Sequence, residues 1–444
     1  MQSEVNMATP QLAATPGTAQ RVSVAASNPD YSRALAIVTT LFFMWGFLTC
    51  LNDILVPHLK SIFDLSYARV MLVQFAFFSA YFLFSVPWSK VVNWIGYQHT
   101  MVVGLLMMAA GAFLFLPAAS VASYPLFLTA LIVLATGITG LQVSANPYVV
   151  VLGKPETASS RLDLTQAFNS LGTTIAPKIG GLLILASAPM AVEQLHELSP
   201  AALHAYRVQE AATVKLPYTV ICVALVLLAI AIGTFKLPKI EHAESQPSSG
   251  VKDSIWKHPN LLLGAVGIFT YVGAEVSIGS FLVNFFGAPE IAGLSAKTAA
   301  GFVSFYWAGT MIGRFLGAAL LRRIKPGNLL GLCAIAAATL VTASMIMGGH
   351  TAMWTILAVG LFNSIMFPTI FSLGLAELGS LTGNGSGMLT MAIVGGAVLP
   401  VIQGVIADHV GIHHAFFLPV LCYLYILFYG LSGSKPNSMR YGNA

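Results

Sequence analysis

Residues 259–288 read PNLLLGAVGIFTYVGAEVSIGSFLVNFFGA, a run whose one ionisable side chain is Glu275. A helix rises about 1.5 Å per residue, so the run is roughly 45 Å long, more than the roughly 30 Å hydrocarbon core of a bilayer. A helix apolar on all sides has no face for water. Working outward, runs of the same kind fall at 34–58, 69–93, 98–118, 123–151, 164–188 and 216–236 before it, and at 296–322, 327–347, 352–379, 384–409 and 413–434 after it. Composition agrees: 57% of the 444 residues are hydrophobic and 8% charged, against about 25% charged in a soluble domain. The expected fold is an all-α membrane protein of twelve transmembrane helices in a lipid bilayer.

The stretch 236–258 carries Lys239, Glu241, Glu244, Lys252, Asp253 and Lys257, and divides six spans from six. The expected organisation is a disordered tail (1–32), a first six-helix bundle (33–236), a linker (237–258), a second bundle (259–434) and a short tail (435–444). The N-terminal tail lacks a charged segment followed by a short apolar core, so no cleaved signal peptide is expected. Basic residues set the orientation. With the N-terminus inside, Arg21, Arg33, Lys90, Lys154, Arg161, Lys236, Lys239, Lys252, Lys257, Arg322, Arg323, Lys325, Lys435 and Arg440 lie in the cytoplasm. Lys60, Arg69, Arg207, Lys215 and Lys297 lie outside, and fourteen against five places both termini in the cytoplasm. The net charge of +5 is scattered singly through loops, so no nucleic-acid partner is expected. Cys50, Cys222, Cys333 and Cys422 sit in apolar runs without metal-ligand spacing, and neither a metal nor a cofactor is expected.

A charge near mid-bilayer costs several kcal/mol, which makes intramembrane ionisable groups functional candidates. Asp53 lies in the first span and Glu275 midway along the seventh. The alternatives for both are a buried ion pair or a carboxylate bonded to broken backbone. Lys178 and Arg314 are the basic residues within spans, and Arg314 is a candidate cavity cation. Uncharged polar residues form a second layer. Thr139, Gln142 and Asn146 share one face of the fourth span; Gln166, Asn169 and Thr173 repeat that spacing on the fifth. Asn284 and Asn363 add amides from the second half. Each could join helix to helix; together they suit a ligand rich in hydroxyls, since an amide both donates and accepts. Trp45 and Trp307 offer ring faces for stacking, or pack. Gly137, Asn146-Pro147, Gly172 and Pro177 in the fourth and fifth spans correspond in order to Gly360, Phe367-Pro368, Gly395-Gly396 and Pro400 in the tenth and eleventh. That repetition suggests an ancestral duplication, with helices broken beside a central site.

The segments Phe43-Met44-Trp45-Gly46 and Leu51-Asn52-Asp53-Ile54-Leu55, with Ala145-Asn146-Pro147-Tyr148 and Arg161-Leu162 through Gln166 to Gly172, resemble the fucose–galactose–glucose:proton symporters of the major facilitator superfamily. The resemblance covers essentially all twelve spans. It implies the major facilitator fold of two six-helix bundles, and cation-coupled sugar uptake across a bacterial inner membrane by alternating access, working as a monomer. It assigns Asp53 as the ion-coupling site, and Gln166, Asn169 and Arg314 as cavity positions. Two departures bear on mechanism. Gln142 stands where the fucose–proton symporter carries a glutamate, and Cys50 where it carries a polar amide. The run Gly273-Ala274-Glu275-Val276-Ser277-Ile278-Gly279 looks like the glucose/galactose and N-acetylglucosamine branch. The expected substrate is therefore a hexose or amino-hexose, with L-fucose or sodium coupling as the alternatives. Outside symport, a channel lacks a continuous polar lining, an intramembrane enzyme lacks a nucleophile with its base, and a membrane sugar sensor stays open.

Overall fold

The computed structural model describes residues 30–63, 67–184, 198–238 and 254–436, with side chains described outside 30–31, 50–62, 67–74, 177–184 and 296–297. The first half comprises α1 (Asp30–Phe63), α2 (Tyr67–Ser120), α3 (Tyr124–Val151), α4 (Ala158–Ile184), α5 (Pro200–Ala212) and α6 (Lys215–Thr234). The second half comprises α7 (Pro259–Gly287), α8 (Ala296–Leu320), α9 (Pro326–Ile346), α10 (Gly349–Asn363), α11 (Met366–Gly374), α12 (Thr382–Met391), α13 (Gly395–Val410), α14 (Ile412–Ala415) and α15 (Phe417–Phe428).

At 54 residues α2 is too long for one crossing, and it breaks at Gly96, whose φ of +77° is open to glycine. The helices α10 and α11 meet at Ser364 and Ile365 as one rod; α12 and α13, joined by a tight turn at Ala392–Val394, form another. Counted so, twelve rods cross the membrane among the described residues. Along α6, Leu216, Val220, Val223, Leu227 and Ile230 are exposed at helical spacing, while Tyr218, Ile221, Leu225, Ala229 and Ile232 are buried. An apolar exposed stripe beside an apolar buried one is what a lipid-facing helix requires. Lipid satisfies no backbone group, which is why the spans are helical throughout. The fifth span begins at Ala158, six residues before the sequence boundary. The helix α5 lies in a segment left between spans by the hydropathy pattern; Ser199 caps it by accepting from the Ala202 amide at 3.3 Å, with Pro200 at its first position.

Interrupted helices appear in the second half, whereas α3 continues through Pro147. A helical proline frees the carbonyl four residues earlier. For Pro147 that is Val143, whose oxygen accepts the Ser386 hydroxyl of α12 at 2.9 Å. For Pro368 it is Ser364, whose oxygen accepts from Arg314 Nε at 3.4 Å. Both freed carbonyls are thus answered by side chains of neighbouring rods.

The halves meet along α4 with α8 and α11, and along α2 and α3 with α12. The end carrying Lys90, Lys154, Arg161, Arg322, Arg323 and Lys325 is called the basic end below. There the Ser159 and Ser372 hydroxyls bond at 2.6 Å, Ser160 Oγ donates to the Ala318 carbonyl at 2.6 Å, and Asn93 Nδ2 donates to Asn384 Oδ1 at 2.6 Å. Each pair joins one half to the other.

Candidate functional site

In the first half, four polar side chains form a chain across α2, α3 and α4. Gln142 Nε2 donates to the Tyr81 hydroxyl at 3.2 Å, Asn146 Nδ2 to Gln142 Oε1 at 3.3 Å, and Gln166 Nε2 to Asn146 Oδ1 at 3.4 Å. All four are buried. The helical spacing of Gln142 and Asn146 places them one turn apart, and Gln166 meets them because α3 and α4 are joined by a short turn at their basic ends. Asn169, on the same helix as Gln166, turns instead to α1. Its Nδ2 donates to the Phe42 carbonyl at 2.9 Å, and a Cβ at Gly46 would collide with it. It holds α1 against α4. Thr139 and Thr173 return their hydroxyls to the carbonyls of Ala135 and Ser170 in their own helices.

In the second half, the Tyr271 hydroxyl donates to Glu275 Oε1 at 2.7 Å, and Asn363 Nδ2 donates to the Tyr306 hydroxyl at 2.7 Å. The buried Tyr423 hydroxyl lies within reach of the Asn363 side chain. Trp307 is half exposed and sets its ring edge-on to Tyr306 at 5.2 Å, whereas Trp45 is buried against Phe42 at 5.2 Å and packs. Asn284 is exposed near the end of α7 remote from the basic end, and the structure does not bring it to this cluster.

Arg314 joins the two clusters. Its guanidinium donates to the Gln166 carbonyl at 3.1 Å, to the Ser170 hydroxyl of α4, and to the Ser364 carbonyl. Its field reaches both Glu275 and Asp163. Gln166 is the hub: its side chain belongs to the first-half chain and its carbonyl to the arginine of the second. Asp53 lies on α1 and Lys178 on α4, but their side chains fall outside the described residues. An apolar groove of about 210 Å³ bordered by Phe75, Leu83, Leu128 and Ile132 lacks the donors a sugar needs.

The sequence pattern did not single out Tyr81, Tyr271, Tyr306, Tyr423 or Asp163. A tyrosine in an apolar run reads as an interface anchor, and only the fold shows which hydroxyls turn inward. Asp163 lay one residue before the expected start of the fifth span and so counted as loop.

The sequence profile of the Major Facilitator Superfamily matches residues 35–394. The chain is a membrane transporter of that superfamily, not an enzyme. A glucose/galactose transporter of Brucella abortus is 53% identical over 409 residues, covering 92% of this chain and 96% of that protein. The L-fucose-proton symporter of Escherichia coli is 34% identical over 416 residues, covering 91% and 94%. The crystal structure of the transporter FucP in its outward conformation matches with a TM-score of 0.84 at 33% identity, covering 91% of this chain and all of that one. Within the superfamily, the chain belongs to the fucose–galactose–glucose:proton symporter family.

Proposed function

We propose that the protein imports a hexose or amino-hexose, with glucose and galactose foremost, by proton-coupled symport through alternating access. The observation that carries this reading is the first-half chain of amides that ends at Gln166, whose carbonyl accepts from the Arg314 guanidinium of the second half. Groups that both donate and accept suit a polyhydroxylated ligand, and a site shared by two bundles is remade when they rock. The glucose/galactose transporter of Brucella, nearer in sequence than the fucose symporter, supports the choice of sugar. The basic end faces the cytoplasm by the distribution of Lys and Arg. The serine and asparagine contacts at that end then form a closed inner gate, and this conformation takes sugar from outside. Asp53 is the coupling carboxylate, and Glu275 with its Tyr271 bond belongs to the sugar site.

Purified protein in proteoliposomes, offered radiolabelled glucose, galactose, fucose and N-acetylglucosamine under separate proton and sodium gradients, tests the whole reading. Accumulation of glucose or galactose under a proton gradient alone is expected. Fucose accumulation, or dependence on sodium, would transfer the proposal to the corresponding alternative, and binding without uptake would make the protein a sensor.

Alanine at Gln166 should weaken sugar binding by about tenfold or more, because a buried polar partner lost without replacement costs roughly 1–3 kcal/mol. Isothermal titration beside a thermal melt checks this. Unchanged affinity in a folded variant would mean that the first-half chain is helix glue alone.

A further inference from the structure

Asp163 is a carboxylate with no measurable exposure. Neither of its oxygens has a hydrogen-bond partner among the described residues. It projects from the first turns of α4 toward α8, where a Cβ at position 317 would stand 2.6 Å from its Oδ2; the carboxyl fills the space that Gly317 leaves. The seam it occupies is the one closed by Ser160 on the Ala318 carbonyl.

The charged and titratable neighbours are few. From α8, Arg314 acts on it electrostatically, yet that guanidinium is spent on the Gln166 and Ser364 carbonyls and the Ser170 hydroxyl. Cys333 of α9 lies within its field. The adjoining residues of the tenth rod, Ser364 and Ile365, do not titrate. On its own helix, Arg161 donates to the Val149, Val150 and Lys154 carbonyls. Arg322 and Arg323, past the end of α8, are exposed. Holding an ionised carboxylate away from water without a hydrogen-bond donor is costly.

We propose that Asp163 is a second proton-binding site, built into the inner gate: protonated while α4 and α8 are closed on each other, and ionised when they part and water enters between them. This rests on the alternating-access reading but not on the identity of the sugar. The proton goes to cytoplasmic water on opening and is taken back on closing, so no other reactant is needed. A closed state that binds one proton more than the open state is favoured by acid on the cytoplasmic side. The site supplies a titrating group on the first half, where Gln142 cannot titrate.

Pulsed electron resonance between spin labels at Lys154→Cys and Ser380→Cys tests the proposal. Both positions are exposed at the basic end, on opposite halves. The protein is otherwise free of cysteine, carries Asp53→Asn so that the first-span carboxyl is silent, and is measured without sugar, so failure of the sugar reading leaves this readout untouched. Between about pH 5 and about pH 9, where a buried carboxyl titrates, the ratio of open to closed gate should rise with pH by up to about tenfold per unit. Asp163→Asn should flatten that profile. An unchanged slope in Asp163→Asn, or a parent protein insensitive to pH, overturns the proposal. Should Asp163→Asn not fold, infrared difference spectra of Asp53→Asn/Glu275→Gln protein decide: a protonated-carboxyl band that titrates is expected, and its absence overturns the assignment.

Discussion

Asp53→Asn should bind sugar and exchange external for internal sugar, yet fail to concentrate it. Asparagine copies the shape of the protonated carboxyl and cannot release a proton. The loaded carrier can still close, because position 53 then carries no charge. The empty carrier's ion cycle is broken, because nothing distinguishes its two facing states by proton affinity, and that difference is what lets an ion gradient act on a sugar gradient. Vesicles preloaded with unlabelled sugar measure exchange; empty vesicles under an imposed proton gradient measure accumulation. Exchange near the native rate with accumulation reduced to the leak level is the expected pair. Full accumulation would transfer the coupling role from Asp53 to Glu275.

Arg314→Lys should release the gate at the basic end while preserving the charge. The guanidinium serves acceptors on two rods at once, the Gln166 carbonyl at 3.1 Å and Ser170 hydroxyl on α4 and the Ser364 carbonyl at 3.4 Å. An ammonium is a compact point charge and does not reproduce that fork. Ser364 cannot recover an amide donor from its own helix, since Pro368 occupies the position that would supply it. Hydrogen bonds to charged groups are worth about 1.5–3 kcal/mol each. Losing about 3 kcal/mol from the closed state moves the open-to-closed ratio by roughly a hundredfold and weakens sugar binding from outside correspondingly. Gate distances and external sugar affinity both within twofold of the native protein would show that Arg314 does not clamp the halves.

What the chain disclosed before folding follows from how local each signal is. Spans announce themselves because lipid tolerates little else, and their number follows from long apolar runs such as 259–288. The chain Gln142–Asn146–Gln166 was legible as two helical faces of like polarity. Its direction was not: Gln166 turns to α3 while Asn169, three residues on, turns to α1. Residues three apart on a helix point along directions that diverge by about 60°, and which neighbour each meets is a tertiary fact. Asn284 looked like a second-half contributor from its residue type, yet its position along α7 leaves it exposed at the end remote from the basic end. The start of a helix is set by capping and packing more than by hydropathy, which is how Asp163 escaped notice beside the buried Arg161.

The hydroxyl of Ser386 on the Val143 carbonyl has a consequence for the solvent. When the halves part at the basic end, that oxygen loses its donor, and Pro147 forbids the helix from closing over it. Ser159, Ser160 and Asn93 are stripped of their partners in the same movement. Only water can take those places, so opening is a hydration reaction as well as a rotation. The state open at the basic end should therefore be sensitive to osmotic stress: solutes excluded from protein surfaces, such as trimethylamine N-oxide, oppose wetting of the seam and hold the gate shut at constant pH and without any sugar bound.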